Sequence, residues 1–304
     1  MLYVTQTALE LGFQYALVAM ALFLSYRVLD IADLTTDGCF VLGCAVSVSM
    51  TAAGYPFLAI PAAILAGMCA GFVTAFLQTR LGVPSILAGI VTNTGLYTVN
   101  LMAMGWRANQ SLLRQDTIFT LFRETGIGGD WYAILLSAGI TVLAGVLLVL
   151  FLGTRLGLSI RATGDNRDMV QASSINPTFT ITVGLCIANA LTGLSGAVVG
   201  QAQKPADINA GTGVVVIGLA CLIIGETIVG RGSMFRGAIA VVVGSIFYRF
   251  IYAIVLYTKV VPIDCLKLVT AIVVALAIAA PTLKQWAAFQ ARKRKALSER
   301  KGEK

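Results

Sequence analysis

Asp33, Thr35, Thr36 and Asp37 are crowded between two long apolar runs. If a helix breaks there, two carboxylates, two hydroxyls and unpaired backbone face a wet cavity. Polar groups at membrane depth are costly, so each is a candidate for function. The alternative is an ordinary loop between two spans. Further on, the i, i+4, i+7 spacing of Asn93, Tyr97 and Asn100 places them on one helix face, with Thr94 beside them. Such a face looks inward, towards a pathway or a partner helix. Asn189, Thr192 and Ser195 form a weaker set of the same kind. Arg249 stands inside an apolar run, between Tyr248 and Phe250. A central arginine costs at least about 2.5–3.5 kcal/mol on insertion scales. It therefore pairs with Asp33 or Asp37, meets a substrate carboxylate, or snorkels to the outer interface. The chain has no histidine. That excludes imidazole acid–base catalysis, imidazole metal sites and Ser-His triads. We assign no catalytic residue and no metal site.

These residues need apolar helices to hold them. The 304 residues are 58% hydrophobic and 12% charged, with a mean hydropathy of +0.86. A soluble domain carries about 25% charged residues. Runs of about 20 apolar residues span the hydrocarbon core as helices, which satisfy their own backbone hydrogen bonds in lipid. The fold class is all-α integral membrane, with about nine transmembrane or re-entrant helices: 9–28, 38–54, 57–79, 84–104, 131–153, 178–201, 213–226, 236–257 and 263–281. Residues 1–281 form a single transmembrane domain, and 282–304 a basic cytoplasmic tail. Met1 to Gly12 has no Lys or Arg, unlike the n-region of a signal peptide, so the first apolar run is expected to stay as a span.

The net charge is +8. Its basic residues lie in short loops and the tail, where anionic membrane lipid and the positive-inside rule account for them; no nucleic-acid partner is expected. With the tail in the cytoplasm, Arg80, Arg155, Arg161, Arg167, Arg231 and Arg236 also fall inside. The 105–130 loop, with Arg107, Arg114 and Arg123, is the exception and falls outside. The six cysteines form no C-x-x-C pair and read as small packing residues. Gly67-x-x-x-Gly71 and Gly196-x-x-x-Gly200 read as close helix contacts.

Segments 38–54 and 213–226 are short, and each follows a similar polar stretch: Ala32 to Gly38, and Ala206 to Gly213. Short, Gly-interrupted segments at matching places in two halves point to an inverted repeat around a central pathway. The stretch about 157–177 is polar, and Asp165, Asn166 or Asp168 can cap a short helix ending near Asn176-Pro177. From the residues alone, a docking helix and a plain loop stand equal.

Several motifs resemble the permease subunits of bacterial ABC importers, in the branched-chain amino acid and ribose-type group. Asp33-Leu34-Thr35-Thr36-Asp37-Gly38 resembles the family's Asp-Leu-Ser-Val-Gly stretch, and Val83-Pro84-Ser85-Ile86 its next helix start. Arg161-Ala162-Thr163-Gly164-Asp165-Asn166 resembles its Arg-Ala-x-Gly-x-Asn coupling motif. Ile224-Gly225 and Gly230-x-Gly232-Ser233-x-x-x-Gly237 resemble its late Gly-rich stretch. Ser174-Ile175-Asn176 departs from Gly-Ile-Asn, and Glu226 replaces a glycine. Within the group the chain is similar to the aromatic and other amino acid permeases.

The resemblance implies an importer of a small polar metabolite, an amino acid first of all, in the bacterial inner membrane. It implies two permease copies, an ABC ATPase subunit and an extracytoplasmic substrate-binding protein. ATP and Mg would be bound by the ATPase; we expect no cofactor on this chain, which has no G-x-x-x-x-G-K-[ST] phosphate loop. Arg161, Ala162, Gly164, Asp165, Asn166 and Arg167 would then organise ATPase coupling. Asp33, Thr35, Thr36, Asp37, Asn93, Tyr97, Asn100 and Arg249 would line the substrate pathway. The competing reading is a secondary transporter driven by an ion gradient, with Asp33, Asp37 and Arg249 as coupling groups.

Overall fold

The computed structural model describes residues 2–258 except 114, 127 and 231, together with Leu268, Ala271, Ile272, Ala275 and Ala279. The basic tail 282–304 and most of the ninth expected segment, 263–281, lie outside the described residues. The other eight segments are helical. Six described helices are long and apolar enough to cross a membrane. They are α1 (Leu2–Leu22, continued by a π turn, Phe23–Val28), α3 (Pro56–Thr79), α4 (Ser85–Ala103), α6 (Tyr132–Leu152), α9 (Pro177–Gln203) and α11 (Met234–Thr258). The two short helices are α2 (Thr36–Ala52) and α10 (Val214–Val229). At 17 and 16 residues they reach only about 24–26 Å, against a hydrocarbon core of about 30 Å.

The stretch between α4 and α6 is more structured than its sequence suggests. It holds α5 (Ile118–Glu124), started by a Thr117/Thr120 capping box, and a strand β1 (Asn109–Ser111). β1 pairs antiparallel with β2 (Pro205–Asp207), which follows α9, so this end of the bundle is tied across two connections. At the opposite end lie α7 (Arg155–Asp165) and α8 (Arg167–Ala172).

α1 is the axis of the bundle. Its residues 16–24 are all buried, so it reads as apolar all round rather than amphipathic. Three consecutive α1 carbonyls each accept a hydroxyl from a different helix: Gly12 from Ser245 of α11, Phe13 from Thr141 of α6 (2.8 Å) and Gln14 from Ser195 of α9 (2.7 Å). With no apolar driving force between helices in lipid, such hydroxyl bonds and close packing hold the bundle.

Close packing is supplied by glycine. α9 is flanked by α2 and α3. A Cβ on Gly67 or Gly71 of α3 would run into the α9 carbonyls of Asn189 and Leu185. A Cβ on Gly196 would meet the Phe40 carbonyl of α2. The two spaced glycine pairs therefore pack as expected. α11 meets α10 in the same way, Gly225 facing the Ala240 carbonyl.

Ser195→Ala removes one α1 bridge and is expected to cost about 0.5–1.5 kcal/mol, seen as a lower melting temperature in detergent. Gly196→Leu forces α2 off α9 and is expected to cost at least about 1–3 kcal/mol, leaving little folded protein in size-exclusion chromatography.

Candidate functional site

Between Val28 and Thr36 the chain leaves the helix at depth. Asp33 and its neighbours satisfy the backbone that this frees. The Asp33 carboxylate accepts from the Thr35 backbone N–H (2.9 Å) and from Asn189 Nδ2 (2.7 Å). The Thr36 hydroxyl donates to the Asp33 carbonyl (3.1 Å), and the Thr35 and Thr74 hydroxyls share a bond of 2.7 Å. Asn189 lies midway along the 27-residue α9, which places the break near the middle of the bundle.

α10 starts beside this break. Its N-cap, Gly213, has φ +86° and no side chain of its own to cap the helix. Asp37 does so from α2: its two oxygens accept from Gly213 N–H (3.0 Å) and Val215 N–H (2.8 Å). Asp37 also lies in the first turn of α2. One carboxylate thus faces the positive ends of two helix dipoles. From here the helices diverge along α1. Phe40 of α2 stacks on Tyr15, with ring centroids 5.7 Å apart, whereas Gly218 of α10 packs on Leu22. Further along, Glu226 Oε1 pairs with Arg27 Nε at 3.1 Å.

A polar cavity of about 350 Å³ opens where the two helices meet. Asp37, Gly38 and Val41 of α2 form one wall, and Asn93, Thr94, Tyr97 and Asn100 of α4 form a second. Ile208, Asn209, Gly211 and Thr212, before α10, close the third. Asn100 Nδ2 donates to the Gly38 carbonyl (3.1 Å), locking α4 to the break. Asp37 is the one carboxylate in this lining and no basic residue joins it, so the other polar groups of the cavity surface are amide, hydroxyl and phenol.

Of the expected pathway residues, Asp37, Asn93, Tyr97 and Asn100 meet in this cavity. Asp33, Thr35 and Thr36 do not line it; they are enclosed behind it, at most 3% exposed, because they serve the broken backbone. Arg249 is elsewhere. It pairs with neither aspartate and does not reach the surface: it is 8% exposed, its guanidinium 3.7 Å from the Tyr15 ring centroid, between α1 and α11. Asn209 and Thr212 escaped sequence reasoning as site residues, although the stretch Ala206–Gly213 was legible as polar and short-helix-leading.

The polar stretch between α6 and α9 folds as two helices rather than one short helix or a plain loop. Arg161, Ala162, Gly164 and Asp165 belong to α7. Asn166 then breaks the helix and caps α8, accepting from Met169 N–H at 3.0 Å. α8 ends well before Asn176, since Ser174 takes φ +61°. Asn176 instead caps α9, with Pro177 at its first position. Asp165, Asn166 and Arg167 are exposed at this end of the bundle, with Met169 57% exposed beside them. Gly164 lies directly on the Val28 carbonyl, and the Thr163 and Thr180 hydroxyls share a bond of 2.8 Å, so α7 is fixed to the π turn and to α9.

Six long apolar helices, two short ones meeting at their N-termini and a polar cavity between them define a polytopic membrane protein built like a transport subunit. The chain belongs to the family described as branched-chain amino acid transport system / permease component, whose pattern matches residues 5–280. It is 33% identical over 260 residues to the tyrosine transport system permease protein of Clostridioides difficile (strain R20291), covering 85% of each chain. It is also 33% identical over 271 residues to an uncharacterised protein of Rickettsia prowazekii (strain Madrid E), covering 88% of this chain and 94% of the relative. A solved metal-chelate type ABC transporter in an inward-facing conformation is similar at 13% identity, with a TM-score of 0.47, over 92% of this chain and 85% of that one.

Asp37→Asn replaces one capping oxygen by an N–H₂ group aimed at an N–H donor. It is expected to cost about 0.5–2 kcal/mol and to speed amide hydrogen exchange at Gly213 to Val215 while leaving α9 protected.

Proposed function

We infer that this permease subunit passes a small polar metabolite, most readily an amino acid, into the cell in an ATP-driven importer. The observation that carries this reading is the cavity at the meeting of α2 and α10, in a chain of this family. Asp37 is taken up by the start of α10, and the other donors and acceptors of the lining are uncharged, which suits a zwitterion, whose charges need hydrogen bonds but no net counter-charge. The relative named for tyrosine transport supports the amino acid class.

In this reading α7 and α8 face the cytoplasm and dock the ATPase, which binds ATP and Mg. The β1–β2 end faces outward, towards a substrate-binding protein, and the basic C-terminal tail lies on the cytoplasmic side of the inner membrane. A second copy of the chain covers the α4 face: Tyr97 is 52% exposed there, and lipid cannot hydrogen-bond its phenol. ATP-driven movement of α8 reaches α7 and then, through Gly164, the π turn. Arg27 and Glu226 carry it to α10, whose start borders the cavity. Glu226, the departure from the family's glycine, thus acquires a role. A substrate contributes only through its different affinity for the outward and inward states.

Gradient-driven transport, the competing reading, needs Asp33, Asp37 and Arg249 as an exchanging set. Asp33 is enclosed by Asn189 and Thr35, Asp37 is taken up by two backbone donors, and Arg249 is apart from both.

Tagged protein drawn from native membranes in mild detergent is expected to bring down an ATPase subunit in stoichiometric amount, and Asp165→Lys to lose it. A homo-oligomer without ATPase would refute the importer reading. In the intact complex, Glu226→Arg is expected to leave ATPase binding unchanged but lower substrate uptake per ATP hydrolysed, and adding Arg27→Glu to restore part of it.

A further inference from the structure

On one side of the polar cavity its three walls are laced together. Along α2 the cavity borders Asp37, Gly38 and Val41. Two turns further on, about 10 Å at the rise of an α-helix, Val48 packs with Cys44 and Ala45 against Leu112 and Ala206. Leu112 follows β1 and Ala206 is the middle residue of β2. At the same level the Ser49 hydroxyl donates to the Ala103 carbonyl at the end of α4 and lies 3.0 Å from Gln110 Oε1 of β1. Ile208 leads from β2 into the cavity wall, and its N–H donates to the Ala108 carbonyl (3.0 Å). Beyond the cavity, then, α2 is joined to α4, and the end of α4 is joined through β1 and β2 to the stretch before α10.

The β1–β2 joint is built to part. Each strand has three residues, and a two-stranded ladder is marginal on its own. The chain enters it through left-handed residues: Trp106 (φ +61°) before β1 and Lys204 (φ +71°) before β2. Bulky side chains seldom take that conformation, and such residues gather at switch regions. The neighbouring joint between α2 and α9 is of another kind. There a Cβ on Gly43 or Gly196 would strike the backbone of the facing helix, so the two helices are in direct contact along their length.

We propose that the β1–β2 strap is a gate on the outer side of the polar cavity, closed in this structure, which parts to admit a small polar substrate. Its parting swings Ile208 and Asn209 away from the α4 wall, while Asp37 keeps the start of α10 in place. That the strap faces outward rests on the transport reading.

Ser111 and Pro205 oppose each other across the strap, are exposed and do not line the cavity. The adjoining pair, Leu112 and Lys204, is joined by a backbone hydrogen bond, so Ser111 and Pro205 form a pair without one, in which side chains stand close. A disulfide in Ser111→Cys/Pro205→Cys therefore locks the strap, and dithiothreitol releases it, so one full-length protein is its own control for folding. The readout is a third substitution in the cavity, Asn93→Cys. Spheroplasts are treated from outside with a membrane-impermeant maleimide, and modification is read by peptide mass. Position 93 is expected to be modified in the reduced protein, to lose that modification when the disulfide forms, and to regain it after reduction. Equal modification of position 93 with the strap locked and released overturns the gate. So does an unmodified position 93 in the reduced protein while position 111 is modified, since the cavity is then not reached from outside. An unmodified position 111 places this end in the cytoplasm and overturns the gate together with the orientation given above. The readout uses neither substrate nor ATPase, so a complex without an ATPase subunit would sink the importer reading and leave the gate standing. If Pro205→Cys does not fold, Asn109→Cys/Asp207→Cys, the other closely spaced pair, makes the same lock.

Discussion

Backbone that leaves a helix inside a bilayer has no water to bond to, and this bundle breaks its helices twice at depth. Asp37 is where the two breaks are resolved together. Its carboxylate stands in the first turn of α2 and accepts the N–H groups of Gly213 and Val215 at the start of α10, so two helix starts share one anion. Around it, Asp33, Thr36, Asn100 and Asn189 satisfy the remaining donors and carbonyls. The cavity exists because these groups hold two short helices end to end rather than letting either cross alone.

The frame that makes this possible is α1. Hydroxyls from α6, α9 and α11 converge on three successive carbonyls, which fixes three helices at one level of the axis. Such bonds are individually modest in membranes. Their effect here is geometric: they set the depth at which α9 presents Asn189 to Asp33. Glycine contacts then bring α2 and α3 close enough to α9 for the bond to form.

The two ends of the molecule are built differently. At one, β1 and β2 tie the α4–α6 connection to the α9–α10 connection. At the other, α7 sits on the carbonyl of Val28, and the π turn it touches is joined to α10 by Arg27 and Glu226. A π turn carries a wider i to i+5 bond, seen as Leu29 N–H to the Leu24 carbonyl at 3.0 Å, and commonly marks functional sites. Its position between the exposed α7–α8 surface and α10 gives the fold a continuous contact path from one end to its centre.

Much of the fold was legible in the sequence because lipid imposes a simple rule: long apolar runs become helices. The eight described segments, the two short ones among them, and the packing glycines followed from that rule. So did the polar face of α4, since a period of 3.6 groups Asn93, Tyr97 and Asn100 whatever they touch. That Asp165, Asn166 or Asp168 caps a short helix was also legible from local chemistry, though which of the three does so, Asn166, was not. Tertiary structure decided the rest, because partners far apart in sequence leave no local mark. That Asp37 serves α10, 176 positions away, that Asp33 is enclosed by Asn189, and that Arg249 stacks on Tyr15 instead of meeting either carboxylate, all depend on which helices adjoin. Periodicity says that a side chain faces inward; only the packing of the bundle says what stands opposite it.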